Sequence, residues 1–113
     1  MTTVRNLIRQ MQLEIRETAD LQPDRAAELL TKLTALLGNC NDEIREADPA
    51  YAVVLLGFLD SDEAANRARI RAETSDAYLR KREARDVKEL TVELVRSLKY
   101  FLKAKEEELR LSR

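Results

Sequence analysis

With 113 residues, 44% of them hydrophobic and 36% charged, the chain has the size of one domain with a modest core. Two glycines, two prolines, no tryptophan and five Tyr or Phe are too few turn-forming and ring residues for a sandwich or barrel, and the abundance of Ala, Leu, Glu, Lys and Arg favours helix, so the fold class expected is all-α. Twenty basic against twenty-one acidic residues give a net charge of -1, which excludes global steering toward nucleic acid or a membrane surface and leaves only local charge to act.

The first segment sets Val4, Ile8, Met11, Ile15 and Thr18 at alternating spacings of four and three, which predicts a helix over about 2–19. Its opening stretch, MTTVRNLIRQMQ, is amphipathic and interrupted by charge, without the apolar centre of a secretory leader. Pro23 disfavours helix at the residue before it and suits the first turn of the next, so a second helix is expected over about 23–47. Its seven-residue repeat runs Ala26, Leu30, Leu33, Leu37, Cys40, Ile44 and Ala47 and keeps phase across Gly38, although a glycine inside a helix costs roughly 1 kcal/mol. Cys40 belongs to that apolar repeat and, as the single cysteine, has no internal disulfide partner, which fits a reduced cytoplasm.

Asp48-Pro49 pairs a capping acceptor with a residue suited to the first helical position, and predicts a third helix over about 49–85. Its stripe is Ala50, Val54, Gly57, Ser61, Ala64, Ala68, Ala72, Ser75, Leu79 and Arg82, whose small members let a neighbouring helix approach closely. The longest apolar run, AYAVVLLGFL, is about half of the ~20 residues a membrane span needs and reads as core. Val87, Leu90, Leu94, Leu98 and Phe101 are displaced from the register of that stripe, and Asp86 to Glu89 matches the capping box D-x-x-E, so a fourth helix is expected over about 87–111. The chain is therefore read as a single helical domain over 1–113, an elongated antiparallel bundle of about four helices. The third and fourth form a long hairpin through which the protein self-associates as a homo-oligomer.

The absence of histidine removes the usual general base and the common metal ligand, and there is no glycine-rich phosphate loop. No catalytic residue, metal, cofactor or small-molecule substrate is expected, and the protein is read as no enzyme.

What the sequence offers instead is sorted charge. In RSLKYFLKAK, the residues Arg96, Lys99, Tyr100 and Lys103 project opposite Leu94, Leu98, Phe101 and Leu102, while Lys105 falls on the apolar side with its stem along the core end. A second strip, Arg67, Arg71, Tyr78, Arg82 and Arg85, lines up along the expected third helix, with Glu73, Asp76 and Glu83 displaced to another side. Separation of cations from anions is what an acidic protein patch or a phosphate backbone requires, and the tyrosines add stacking faces for single-stranded bases. A solvated face accounts for the same residues, with Glu93 pairing Arg96 and with Glu106 and Glu107 pairing Lys103. Solvated, protein-binding and nucleic-acid-binding faces all stay open.

The stretch Glu63 to Arg113, through its Ser-x-x-Tyr element (Ser75 to Tyr78) and its Arg-Ser-Leu-Lys-Tyr element (Arg96 to Tyr100), resembles the C-terminal half of small helical accessory proteins of tailed bacteriophages. Such proteins often come from early gene blocks concerned with DNA replication, recombination and host takeover. The resemblance implies a non-enzymatic accessory protein in the host-cell cytoplasm and carries over no binding residues. The function expected is an accessory or adaptor protein that binds a protein partner of the DNA replication or recombination machinery, with single-stranded DNA as a further ligand and no membrane contact. A rival reading is a host-directed, anti-defence inhibitor that obstructs a bacterial nuclease or immune complex, with Asp42, Glu43, Glu46 and Asp48 mimicking phosphates. A third is a virion structural or assembly protein forming large ordered oligomers.

Overall fold

The computed structural model describes residues 2–61 and 64–112, and every regular element among them is helical. The elements are α1 (Thr2–Glu17), α2 (Pro23–Leu59), α3 (Ala65–Glu73) and α4 (Asp76–Leu111). At 1.5 Å per residue α2 and α4 are each about 55 Å long, and they set the length of an envelope of 73 × 23 × 22 Å. They pack face to face and antiparallel, with Cys40 meeting Thr91 and Tyr51 meeting Tyr78.

The all-α, elongated four-helix expectation holds, as does a long hairpin, but its two arms are α2 and α4 and not the expected 49–85 and 87–111. Asp48-Pro49 starts no helix, because α2 runs through it. The reason is register: the inward positions Ala26, Leu29, Leu33, Cys40, Ala47 and Tyr51 continue the same three-and-four spacing across Pro49, as they do across Gly38, so one packed face spans both interruptions. The exposed ring of Pro49 points away from that face.

The expected boundary at Asp86 is also absent, since α4 is continuous from Asp76. Its buried positions are Ala84, Val87, Thr91, Leu94, Val95 and Leu98, whereas Leu79 and Arg82, placed on the inward stripe by the sequence reading, are exposed. Followed back from Ala84, the true register passes through Arg80 and Ala77, and an arginine there conceals it from a hydrophobicity pattern.

The real break is Thr74-Ser75. Thr74 Oγ1 donates to the Arg71 carbonyl at 2.8 Å, closing α3, and Ser75 Oγ accepts from the Tyr78 amide at 3.2 Å, capping α4 with Asp76 in its first turn. The Ser-x-x-Tyr element is thus a helix N-cap. The first predicted helix ends slightly early, at Glu17, so Thr18 lies beyond it, and the Pro23 start is as expected.

The core has two sections. At one end α1 lies against the hairpin, its Ile8 fully buried among Leu29, Leu33, Cys40, Val87, Leu94, Val95 and Leu98, with Val4, Met11 and Ile15 alongside. Each such large side chain contributes roughly 1.5–3 kcal/mol by leaving water. At the other end the buried residues are Ala47, Tyr51, Ala68, Ala72 and Ala84, and the small pair Ala68 and Ala72 brings α3 close against its neighbours.

Arginines clamp α1 to the hairpin. Arg25 forks onto Glu14 at 2.6 and 2.7 Å, tying the end of α1 to α2, and Arg5 reaches Glu83 on α4.

A candidate binding face on α4

Because α4 is one helix, residues assigned by sequence to two separate strips share it: Tyr78, Arg82, Arg85, Arg96, Lys99, Tyr100 and Lys103. At 100° per residue, Arg82, Arg85, Arg96, Tyr100 and Lys103 fall within about 60° of one another, across the helix from Val87, Leu94 and Leu98, with Lys99 on the flank. All six are exposed, Tyr100 at 78%, and from Arg82 to Lys103 they span roughly 30 Å. Arg67 and Arg71 do not extend this line. They sit on α3, beyond the break at Thr74-Ser75, so the strip expected on a single third helix is divided.

Several of these side chains are already engaged. Arg85 Nη2 donates to Asp48 Oδ2 at 2.5 Å, and Arg96 Nη1 donates to Glu93 at 3.2 Å, the latter pair as the solvated reading expects. Tyr78 is half-buried with its ring 5.4 Å from that of Tyr51 and tilted by 53°, which takes up the stacking face foreseen for bases. Glu107 accepts from Arg110 at 3.1 Å instead of pairing with Lys103. Lys105 lies along the core end as expected, with Nζ 5.6 Å from the Phe101 ring centre and 3.4 Å from Glu108. Arg82, Lys99, Lys103 and, on α3, Arg67 form no ion pair among the described residues. Glu89 stands on the same outward side between Arg85 and Arg96, so the basic surface of α4 is two clusters separated by an acid.

The acidic run on α2 is occupied from within the molecule. Arg80, absent from both sequence strips, forks onto Glu43 through Nε at 3.0 Å and Nη2 at 2.6 Å and touches Glu46 at 3.2 Å. Asp48 takes Arg85, and Asp42 takes Arg45 at 3.3 Å. Hydrogen bonding from Arg80 holds the Glu43 carboxyl below the ordinary carboxylate value and raises the guanidinium in return. Glu43 and Asp48 are thus largely covered by the protein's own guanidinium groups, whereas Asp42 and Glu46 stay 70% and 73% exposed, so only half of the phosphate-like surface that the inhibitor reading requires is open. Nothing local signals the pairing, because Arg80 and Glu43 meet only when α4 folds back on α2.

The apolar run AYAVVLLGFL is core on one side only. Tyr51 is buried and Val54, Leu55 and Phe58 are half-buried, but Val53, Leu56 and Leu59 are 69%, 57% and 40% exposed. Coverage runs out here: Val4, near the start of α1, already lies beside Asn39 to Glu46, and α3 is nine residues long. The sequence did carry a signal, since eleven consecutive uncharged residues from Pro49 to Leu59 give the helix no polar side to present to water.

The remaining chemistry is sparse. The recess between Arg9 of α1 and the Leu79 to Leu90 stretch of α4 is an open groove, and so is a second one lined by α4 alone. No group of three or more Cys, Asp or Glu is placed to hold a metal ion among the described residues. Cys40 is fully buried, and burial pushes its thiol pKa up although Thr91 stands 3.8 Å away, opposite to what a nucleophile needs. No described helix is long and apolar enough to cross a membrane. No family model, curated protein or solved structure matches the chain.

Proposed function

We propose that the protein is a non-enzymatic accessory or adaptor protein that binds an acidic protein partner along the outer face of α4. The observation that carries the reading is the cluster Lys99, Tyr100 and Lys103: two cations free of ion pairs among the described residues beside a ring that is 78% exposed. Ammonium groups that need not release an internal carboxylate lose less on meeting an external one, and an exposed tyrosine supplies apolar area at low entropy cost. Arg82 adds a second contact toward the start of the helix. The resemblance of residues 63–113 to phage accessory proteins supplies the biological setting, a partner in DNA replication or recombination. Single-stranded DNA is the second ligand, favoured by a stackable ring between two lysines.

The test is affinity capture with the wild-type protein and with Lys99→Glu/Tyr100→Ala/Lys103→Glu, whose substitutions lie outside the core and leave the helical circular dichroism intact. A partner retained by the wild type and lost by the variant supports the reading, and equal retention refutes it. Binding to a single-stranded oligonucleotide should weaken steeply with salt as counterions are released. No shifted band at low salt and micromolar protein removes the DNA ligand.

A further inference from the structure

We infer that the outer face of the last turns of α2 is a self-association surface, which joins two copies of the chain antiparallel about a twofold axis between Ala52 and Val53. This reading concerns a different helix from the α4 face and does not depend on it.

The observation is an abrupt change of surface along one side of one helix. Up to Arg45 and Glu46, which are 78% and 73% exposed, the outward positions of α2 are polar or small, Ala27, Thr31, Thr34, Ala35, Gly38 and Asp42, with no large apolar side chain among them. From Pro49 onward they are Pro49, Ala52, Val53 and Leu56, all exposed and all apolar, and Asp60 closes the strip at the C-cap. A Val and a Leu more than half open to water on adjacent turns make a helix face that gains by being covered.

The occupant follows from the pattern. Arg45, Pro49, Ala52, Val53, Leu56 and Asp60 are placed symmetrically about the midpoint of Ala52 and Val53. An antiparallel second copy therefore sets Leu56 against Pro49, Val53 against Ala52, and Arg45 against Asp60, each contact made twice. Bulky side chains meet small ones, and each end of the strip joins opposite charges. A parallel pair would instead set Arg45 on Arg45 and Asp60 on Asp60. Arg45 is available for this exchange, since its present partner Asp42 is 3.3 Å away and both are largely exposed. The strip covers only about three turns, less than the roughly 800 Å² per partner of a standard stable interface, so the dimer should be weak and concentration-dependent.

Sedimentation equilibrium, from low micromolar to the highest soluble concentration, reads this directly. The wild type should move from monomer toward dimer mass. Leu56→Glu, at an exposed position that leaves the fold intact by circular dichroism, should weaken association at least about tenfold by placing a carboxylate in each apolar contact. Arg45→Asp and Asp60→Arg should each weaken the dimer by setting like charges together, and the double variant Arg45→Asp/Asp60→Arg should restore it. A monomer at every concentration, or a dimer indifferent to Leu56→Glu, overturns the surface. A dimer lost in Leu56→Glu but not rescued by the charge exchange overturns the twofold register. Partner capture through α4 is read separately, so failure of either proposal leaves the other standing.

Discussion

Pro49 distinguishes two physical descriptions of the chain by the sign of one measurement. At the first position of a separate helix its missing amide would cost nothing and its fixed backbone angle would help, so Pro49→Ala would be neutral or destabilising. Inside the continuous α2, more than two turns from either end, it deprives the Arg45 carbonyl of its amide partner and its ring crowds that carbonyl. A proline in a helix interior costs about 3 kcal/mol relative to alanine. Water reaches the exposed position and offsets part of that, so Pro49→Ala should stabilise the protein by about 2 kcal/mol. At about 4 °C per kcal/mol for a chain of this size, the melting temperature should rise by roughly 8 °C. Urea and thermal unfolding by circular dichroism, at dilution low enough to keep the chain monomeric, measure it. Gly38→Ala provides a scale on the same helix: a Cβ there meets nothing within 4 Å, so the gain should be the bare propensity difference of about 1 kcal/mol. If Gly38→Ala stabilises while Pro49→Ala does nothing or destabilises, the continuous helix is refuted.

The close approach of α3 rests on Ala72, which has no exposed surface, so Ala72→Leu should cost about 1–3 kcal/mol in chemical denaturation, and an unchanged midpoint would contradict that packing. Glu14 and Glu43 have pKa values lowered chiefly by hydrogen bonds from Arg25 and Arg80. Their stabilisation is complete above the ordinary value of 4.5 and is lost as pH falls through the depressed folded values. Urea midpoints followed down to about pH 3 should therefore drop, and Glu14→Gln/Glu43→Gln should start lower at neutral pH and fall less steeply; parallel curves would argue against the clamps. Cys40 should react with a thiol reagent only on the timescale of unfolding, and rapid stoichiometric labelling of the native protein would contradict its burial.

Function also divides by surface. Glu43 and Asp48, two of the four acids that a phosphate-mimicking inhibitor would display, are held by Arg80 and Arg85, whereas Lys99 and Lys103 form no ion pair among the described residues. That contrast favours a binding face on α4 over one on the acidic part of α2.

The chain's own residues determined the helical class, the first helix, the Pro23 start, the burial of Cys40 and the outward direction of Arg96, Lys99, Tyr100 and Lys103. Each depends on spacing within a few turns of one helix, and spacing is local information. The partition of the remainder was decided by tertiary packing. Pro49 looks like a beginning because its local chemistry is that of a helix start, yet the face carrying Ala47 and Tyr51 is held against α4 on both sides of it, and packing outweighs a single unfavourable residue. Asp86 looks like another because the register followed back from Ala84 meets Arg80, a charged residue at the edge of the packed face that stays 42% exposed and pairs with Glu43 and Glu46 once α4 folds back on α2. Which apolar side of the Pro49 to Leu59 run is core is likewise not a property of its own segment: α4 covers the side with Tyr51 through Tyr78 and Lys81, and the side with Val53 and Leu56 is left in water.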